Sequence, residues 1–269
     1  MTLLLQVSDP HFGAERPEVV SALETLAAEL RPDVLVLSGD LTQRARSAQF
    51  AAARAFVERL RIARVVAVPG NHDIPLFDVL TRARAPYSGY RVAFGDELEP
   101  MLSLPDCLIL AVKTTRRYRH VDGEISEQQR ARVAQLLQRA TPEQLRVVVL
   151  HQPVAVPRAS ELHNVCHGSE PAVRAWSAAG ADVILAGHIH LPFVLPLTEV
   201  FSGLSRPVWA INAGTAVSAR VRYDAGNSVN VLRTERGAGG ERVCCVEHWS
   251  FSAAASRFLR ATELRLSFG

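Results

Sequence analysis

Six short apolar runs, separated by stretches with helical periodicity, constrain the fold of this 269-residue chain more than any other feature. The runs are rich in Val, Leu and Ile, which is typical of strands buried on both faces. They are Leu3–Val7, Val34–Leu37, Val65–Val68, Leu108–Val112, Val147–Leu150 and Val183–Ala186. Amphipathic helices are predicted between them: Pro17 opens one, and Ser126 with Gln129 forms a capping box at the start of another. This alternation predicts an α/β fold built from βαβ units around a largely buried sheet.

The pattern changes after Gly187, where strands joined by turns are predicted and helices are not. The predicted strands lie near Phe193–Val200, Val208–Asn212, Ser228–Leu232 and Val243–Phe251. The glycine-rich segment 236–240 is a candidate hairpin loop. We expect the part of the chain from about residue 191 onward to form most of a second, mostly antiparallel sheet. The chain would then be a single domain, residues 1–269, with a four-layer α/β/β/α sandwich of two mixed sheets.

Composition excludes several classes of function. A hydrophobic content of 48% with 21% charged residues is typical of a globular protein. The net charge of +3 is too small for the basic footprint of a dedicated nucleic-acid binder. The four cysteines have no C-x-x-C spacing, and neither a signal segment nor a membrane-length apolar run is recognisable. We therefore expect a cytoplasmic protein that does not associate with membranes.

Polar side chains follow five of the six apolar runs, at the points where the predicted strands end. Ligands of open α/β sheets gather at the carboxyl ends of strands. Taken singly, each residue is as typical of a turn, a helix cap or a core histidine as of a site. Five coincidences at the same edge of a sheet predict a shared site instead. The residues are Asp9, His11, Asp40, Asn71, His72, Asp73, His151, His188 and His190.

The residue types at these positions indicate transition metals. Carboxylate, imidazole and amide oxygen suit such metals better than they suit calcium or a thiolate zinc site, and Mn, Fe and Zn all accept them. Two aspartates, one asparagine and four histidines (without His72) are too many for one centre that keeps open positions for water and substrate. They fit two metal ions about 3.5–4 Å apart that share a carboxylate and clamp a phosphoryl group.

The order of the motifs, D-x-H, G-D, G-N-H-D, H and G-H-x-H between residues 9 and 190, resembles the calcineurin-like metallophosphoesterase superfamily. The resemblance implies the two-sheet sandwich and a pair of divalent or trivalent metal ions (Mn, Fe or Zn) that lower the pKa of a water, so that a metal-bound hydroxide attacks phosphorus. It also implies roles for the residues. Asp9, His11 and His190 would bind the first metal, Asn71, His151 and His188 the second, with Asp40 bridging.

Two further residues of the G-N-H-D motif receive catalytic roles from the same resemblance. His72 would contact the phosphate or protonate the leaving oxygen. Asp73 would either orient His72 or cap a helix that is predicted to start near Pro75. Asn71 and His72 are also expected to contact substrate, together with His163 in the loop that follows His151.

Details of the motifs favour one branch of the superfamily. The sequences GDLT at 39–42 and GNHD at 70–73 resemble the bacterial class III cyclic-nucleotide phosphodiesterase and glycerophosphodiesterase branch. The first departs from the G-D-x-V-D-R-G of Ser/Thr protein phosphatases, and the second from the G-N-R-D of lipid A-pathway pyrophosphatases. We therefore predict an enzyme that hydrolyses small phosphodiesters, with 3′,5′-cyclic nucleotides as the leading candidates.

Three alternatives stay open at this point: a phosphomonoesterase of the same superfamily, a nuclease, and a non-catalytic interaction scaffold. The mild net charge argues against a nuclease, because polynucleotide binding depends on many basic contacts. The complete set of ligand types argues against a scaffold. The expected partner is a small phosphodiester or nucleotide, and a homodimer is left open. No role is assigned to His167 or to the basic run 113–120.

Overall fold

The computed structural model describes residues 1–222 and 225–268, and in them two six-stranded mixed sheets lie face to face. The strand order is β12-β11-β10-β1-β2-β3 in the first sheet and β4-β5-β6-β7-β9-β8 in the second. The strands are β1 (Leu3–Val7), β2 (Val34–Ser38), β3 (Arg64–Val68), β4 (Met101–Leu104), β5 (Cys107–Ala111), β6 (Leu145–Val149), β7 (Val183–Ala186), β8 (Phe193–Pro196), β9 (Trp209–Asn212), β10 (Ser228–Arg236), β11 (Arg242–Ser252) and β12 (Arg257–Phe268).

Helices cover the outer faces of both sheets, which confirms the four-layer α/β/β/α sandwich. They are α1 (Pro17–Leu30), α2 (Ser47–Leu60), α3 (Val79–Arg84), α4 (Ser88–Phe94), α5 (Glu127–Gln138) and α6 (Ser169–Ala179). The capping box at the start of α5 is confirmed, since Gln129 N donates to Ser126 Oγ and Ser126 N donates to Gln129 Oε1.

Alternation along the strands distributes apolar side chains among three buried layers. Leu4 of β1 lies in the core between the sheets, whereas its neighbour Leu5 packs beneath the helices of the first sheet. In the second sheet, Val147 faces the inter-sheet core and Val148 packs beneath α5 and α6. Strands with both faces covered in this way read as continuous apolar runs, which is why the six runs stand out in the sequence.

The division of strands between the two sheets differs from the prediction. We expected residues from about 191 onward to form most of the second sheet, and this is wrong. Strands β10, β11 and β12 extend the first sheet, because β10 pairs antiparallel with β1, whereas β8 and β9 join the second sheet beside β7. The physical reason is that periodicity marks a strand as buried but does not identify its hydrogen-bonding neighbour.

The topology brings the polar strand ends together. Strands β1, β2 and β3 are parallel to one another, and so are β5, β6, β7 and β9. Their carboxyl ends therefore form one edge in each sheet. In the described part of the chain, no helix combines the length and the apolar character needed to cross a membrane.

Candidate metal centre

The loops that follow β1, β2, β3, β6 and β7 meet at the edge shared by the two sheets. Backbone hydrogen bonds hold these loops together: His11 N donates to the Asp40 carbonyl over 3.0 Å, and Gly187 N donates to the His151 carbonyl over 3.0 Å. The first sheet supplies Asp9, His11, Asp40 and Asn71, and the second supplies His151, His188 and His190. The seven predicted ligands therefore come from both sheets and converge where the sheets meet.

The first cluster consists of Asp9, His11 and His190, whose candidate ligand atoms lie within 4.8 Å of one another. His190 Nε2 lies 3.1 Å from His11 Nε2 and 3.3 Å from Asp9 Oδ1. His190 Nδ1 is 2.6 Å from the Arg220 carbonyl, which can only accept, so the ring proton is on Nδ1. The Nε2 lone pair of His190 then faces an oxygen and a nitrogen of the neighbouring side chains. This convergence of acceptors is what a cation requires.

The second cluster also combines one carboxylate with two imidazoles. Asp40, His151 and His188 have candidate ligand atoms within 4.8 Å of one another, and Asn71 Oδ1 lies 3.1 Å from His151 Nε2. His151 Nδ1 donates to the Ser38 carbonyl over 2.8 Å, which leaves Nε2 as the nitrogen that faces the cluster. An amide oxygen, a carboxylate and imidazole nitrogens therefore converge in this cluster as well.

Asp40 connects the two clusters. Its Oδ1 atom lies 3.3 Å from His151 Nε2 in the second cluster, and its Oδ2 atom lies 3.7 Å from His11 Nε2 in the first. The Oδ1 atom also accepts a hydrogen bond of 2.8 Å from the backbone amide of His72, which fixes the orientation of the carboxylate. A single carboxylate oriented in this way can contact a cation on each side.

Both clusters contain a buried carboxylate, whose negative charge has to be balanced by positive charge nearby. Burial alone would raise the pKa of the Asp9 and Asp40 carboxyls, but the adjacent His190 and His151 outweigh it and hold both pKa values below the usual range. Burial lowers the pKa of His151, yet the charge of Asp40 raises it to about 9, and Asp9 raises the pKa of His190 in the same way. The carboxylates therefore need positive charge beside them, from protons or from metal ions.

Unsatisfied atoms fit the metal interpretation. Asp9 Oδ1 and His188 Nε2 are buried and have no hydrogen-bond partner among the described residues. Burial lowers the pKa of His188 to about 4 and that of His11 to about 3, so both rings are neutral and able to act as ligands. A buried polar atom without a partner costs about 1–3 kcal/mol, and coordination to a metal removes that cost.

The backbone at the ligands is itself unusual. Five of the seven predicted ligands have a positive φ, between 44° and 70°, in the left-handed region. This region is sparsely populated by residues other than glycine, although Asp and His enter it more readily than most. Such conformations persist only where the surrounding structure enforces them, and they concentrate at functional sites. The five residues are Asp9, His11, Asp40, His188 and His190.

Two motif glycines allow the loops to approach one another closely. A Cβ atom at Gly70 would overlap the backbone amide and carboxylate of Asp40. A Cβ atom at Gly187 would overlap Ser8 Oγ and the carboxylate of Asp9. Glycine in G-N-H-D and in G-H-x-H is therefore explained by the space that a ligand of another loop occupies.

His72 lies at the rim of the centre, with its ring edge-on to the ring of His11 at a centroid distance of 4.8 Å. Its Nδ1 atom is 2.9 Å from the Gln43 carbonyl, so the ring proton is on Nδ1. Arg220 Nη1 lies 3.0 Å from its Nε2 atom and 3.4 Å from its Nδ1 atom, so the guanidinium packs against the ring rather than in line with the Nε2 lone pair. A ring nitrogen of His72 also lies within 4.8 Å of candidate ligand atoms of His11 and Asp40, so the side chain borders the centre.

Asp73 contacts the loop backbone rather than the ring of His72 or a helix near Pro75. Its carboxylate accepts hydrogen bonds from the backbone amides of Leu41, Thr42 and Gly70, at 2.8–3.1 Å. Within the described residues it does not bond to the ring of His72. The helix predicted near Pro75 begins only at Val79, where Asp78 is the cap, so the capping prediction is wrong.

The environment of Asp73 explains this outcome. Burial, followed by the charge of Asp40, raises the pKa of Asp73 to about 7, and the amide donors oppose that shift. The carboxylate ties the G-D loop to the G-N-H-D loop, and it therefore positions both His72 and Asp40 through the backbone. Donors supplied by the backbone cannot be recognised in a motif, because every residue type carries them.

Sequence reasoning missed Arg220 and assigned a role to His163 that stays a prediction. His163 lies exposed on the 3-10 turn Ala159–Asn164, outside both ligand clusters. Arg220 contacts His72 and, through its carbonyl, His190. It belongs to an irregular loop after β9 that carries no motif, so only the three-dimensional structure brings it to the site.

Comparison with known proteins agrees with this geometry. The sequence profile of the family described as calcineurin-like phosphoesterase matches residues 2–192. A cAMP/cGMP dual specificity phosphodiesterase from Mycobacterium tuberculosis is 28% identical over 206 residues, which cover 70% of this chain and 61% of the relative. The chain thus spans about three-fifths of the length of the curated relative that it matches.

Two solved structures share the fold. A purple acid phosphatase, PPD1, from yellow lupin (Lupinus luteus) seeds superposes with a TM-score of 0.73 at 11% identity, covering 99% of this chain and 53% of the other. Vacuolar Protein Sorting 29 from Cryptosporidium parvum gives a TM-score of 0.52 at 13% identity, covering 99% and 98%. At these identities the likeness shows the fold alone, and this fold occurs in a phosphatase and in a sorting protein.

The position of Asp40 between the clusters generates a prediction about metal content. Replacing Asp40 with Ala should lower the metal bound at both clusters, from about two equivalents per chain to below one, because both lose the shared carboxylate. His190→Ala should chiefly weaken the first cluster and leave about one equivalent. Elemental analysis after gel filtration measures both, with the exposed Asp96→Ala as a control. Two full equivalents in Asp40→Ala would exclude the bridging role.

The close approach at Gly187 generates a second prediction. Gly187→Ala should displace the Asp9 carboxylate, reduce metal binding and destabilise the protein by about 1–3 kcal/mol, as overpacking does. Gly226 is the matched control, because a Cβ there would meet open space. Thermal unfolding and elemental analysis of both variants test this. A Gly187→Ala variant with the stability and metal content of Gly226→Ala would contradict the close-approach argument.

Proposed function

Because the chain belongs to the calcineurin-like phosphoesterase family, we propose that it is a dinuclear-metal-dependent hydrolase of small phosphodiesters. The observation that carries the proposal is the pair of ligand clusters joined by Asp40. A binding scaffold has no need for two buried carboxylates that require cations, since burying unpaired charge costs stability. The Mycobacterium tuberculosis relative, which is described as a cAMP/cGMP phosphodiesterase, supports the diester class.

The residues that would hold the metal ions follow from the two clusters. Two bound ions of Mn, Fe or Zn would supply Lewis acidity to the phosphoryl group and activate water near neutral pH. The backbone carbonyls of Ser38 and Arg220 keep the ring protons of His151 and His190 away from the ions. Asp9, His11 and His190 would hold the first ion, Asn71, His151 and His188 the second, and Asp40 both.

His72 is the proposed catalytic residue that is not a ligand. Its Nε2 atom faces the rim, whereas its Nδ1–H group stays bonded to the Gln43 carbonyl. This arrangement leaves Nε2 to contact a phosphoryl oxygen or, once protonated, to give a proton to the leaving oxygen. Asp73 supports that position through the loop backbone and is a positioning residue.

The proposed substrates are small diesters, with 3′,5′-cyclic nucleotides as the leading candidates. The sequences GDLT and GNHD and the curated relative both favour this class over monoesters. The net charge of +3 disfavours long polyanions. The fold shared with a purple acid phosphatase keeps phosphomonoesters as the second candidate.

The placement of His72 generates a prediction about turnover. His72→Ala should keep the metal stoichiometry and lower kcat by about 10²–10⁴-fold if the ring acts as a general acid. The loss should be smaller for an aryl diester with an acidic phenol, which needs little protonation as it leaves. Steady-state kinetics on good and poor leaving groups measure the difference, with the exposed His120→Ala as a control. Equal losses for both leaving groups would contradict the acid role.

The substrate class is tested by rank order in kcat/KM, since that ratio reports transition-state stabilisation. With one metal throughout, we expect cyclic AMP and a generic aryl diester to exceed the matching aryl monoester and a single-stranded oligonucleotide. A lead of tenfold or more for the monoester or the oligonucleotide, about 1.4 kcal/mol in barrier, would overturn the small-diester proposal. The metal-dependent phosphoesterase chemistry would stand in that case.

A further inference from the structure

Arg220 brings a guanidinium group to the rim of the centre, where none of the described carboxylates pairs with it. Its Nη1 atom lies 3.0 Å from His72 Nε2 and 3.4 Å from the side-chain oxygen of Gln43. Among residues 1–222 and 225–268, its side chain forms no ion pair with an Asp or Glu. The nearest partners of this positive charge are therefore the ring of His72 and the side-chain amide oxygen of Gln43.

Two other arginines, Arg222 and Arg119, are by contrast paired with acidic side chains. Arg222, two residues further along, pairs with Glu161 at 3.0 Å, and Arg119 pairs with Glu124 at 3.0 Å. Arg220 forms no such ion pair with the described residues, although it contacts His72 and His190 of the site. A guanidinium beside a cationic centre is repelled by that centre unless an anion lies between them. The arrangement thus has a place for a ligand that carries negative charge.

The chemistry of that ligand follows from the guanidinium. Its planar edge presents two N–H groups in a fork that matches two oxygens of one phosphoryl group. A diester phosphate has two non-bridging oxygens and one negative charge, and it would enter at the rim where His72 lies. We propose, on the basis of the proposed function, that Arg220 binds the non-bridging oxygens of the substrate phosphate and gives up its contact with His72 Nε2 in doing so.

This exchange would have a consequence for His72. The Arg220 guanidinium lies against the ring of His72, with Nη1 3.0 Å from Nε2 and 3.4 Å from Nδ1, and so covers the atom proposed to meet the substrate. When the guanidinium turns to the phosphate, Nε2 is free to contact the phosphoryl or leaving oxygen. The backbone of Arg220 stays where it is, because its carbonyl holds His190. The side chain can therefore be changed without removing the support of the first cluster.

The experiment measures binding of inorganic phosphate to the metal-loaded protein by isothermal titration calorimetry. Arg220→Ala should weaken phosphate binding by about 10- to 100-fold, the range for a hydrogen bond to a charged group. Arg220→Lys should lose less, because it keeps the charge but not the fork. Metal content should stay at the wild-type level in both. Arg59→Ala, which removes an arginine of α2 that pairs with Glu24 of α1, is the control and should change affinity by less than twofold.

A double variant separates phosphate binding from a purely positioning role. If Arg220 only holds His72 in place, Arg220→Ala will have no further effect on phosphate affinity in a His72→Ala background. We expect the loss to persist there. Unchanged affinity in Arg220→Ala, loss of metal from that variant, or absence of the effect in the His72→Ala background would each overturn the inference.

The same titration keeps the inference distinct from the proposed function. A wild-type protein that binds phosphate through Arg220 but does not cleave diesters would support the inference and contradict the diesterase proposal. If the wild type cleaves diesters, and Arg220→Ala leaves both KM and the phosphate affinity unchanged, the diesterase proposal stands and the inference about Arg220 is wrong.

Discussion

Two buried carboxylates, Asp9 and Asp40, face ring nitrogens of His190 and His151, and this arrangement requires positive charge between them, from metal ions or from protons. The requirement explains features that have no other evident purpose. His151 and His190 each give their Nδ1 proton to a backbone carbonyl, which commits Nε2 to the clusters. His188 Nε2 is left buried without a partner among the described residues. Metal ions satisfy all of these groups at once, whereas protons satisfy only some of them.

The fold meets this requirement by placing the centre at the junction of its two sheets. Carboxylates and the amide oxygen come from loops of the first sheet, and three of the imidazoles come from loops of the second. Neither sheet alone holds a complete ligand set. The left-handed backbone at Asp9, Asp40 and His190 and the close packing at Gly70 and Gly187 are local costs of bringing the loops together. The two apolar layers beneath the helices and the core between the sheets supply the stability that offsets them.

Much of this arrangement could be predicted from the sequence, because it depends on local patterns. All six buried runs are strands, and the motif residues lie at their carboxyl ends, since periodicity and turn chemistry are encoded within a few residues. The partition of strands could not be predicted: Ser228–Arg236 pairs with β1 across more than 200 residues of chain, and only packing decides such a contact. Arg220 and the bonds of Asp73 were missed for a related reason, because they depend on where irregular loops lie in space.

In the proposed centre, Arg220, which forms no ion pair with the described residues, binds phosphate, and the carboxylate of Asp40 holds cations. In this account His72 lies between the two and contacts both, through its ring nitrogen to Arg220 and through its amide to Asp40. Asp73 fixes the loops from behind by accepting backbone amides. The family relationship supplies the type of chemistry, and these contacts specify which side chains of this chain would carry it.

Anomalous diffraction from crystals grown with manganese shows whether Asp40 bridges a dinuclear centre. We expect two anomalous peaks about 3.5–4 Å apart, the separation typical of dinuclear hydrolases, with the Asp40 carboxylate contacting both. One peak should adjoin Asp9 and His190 and the other His151 and Asn71. A single peak, or two peaks of which Asp40 touches only one, would contradict the account.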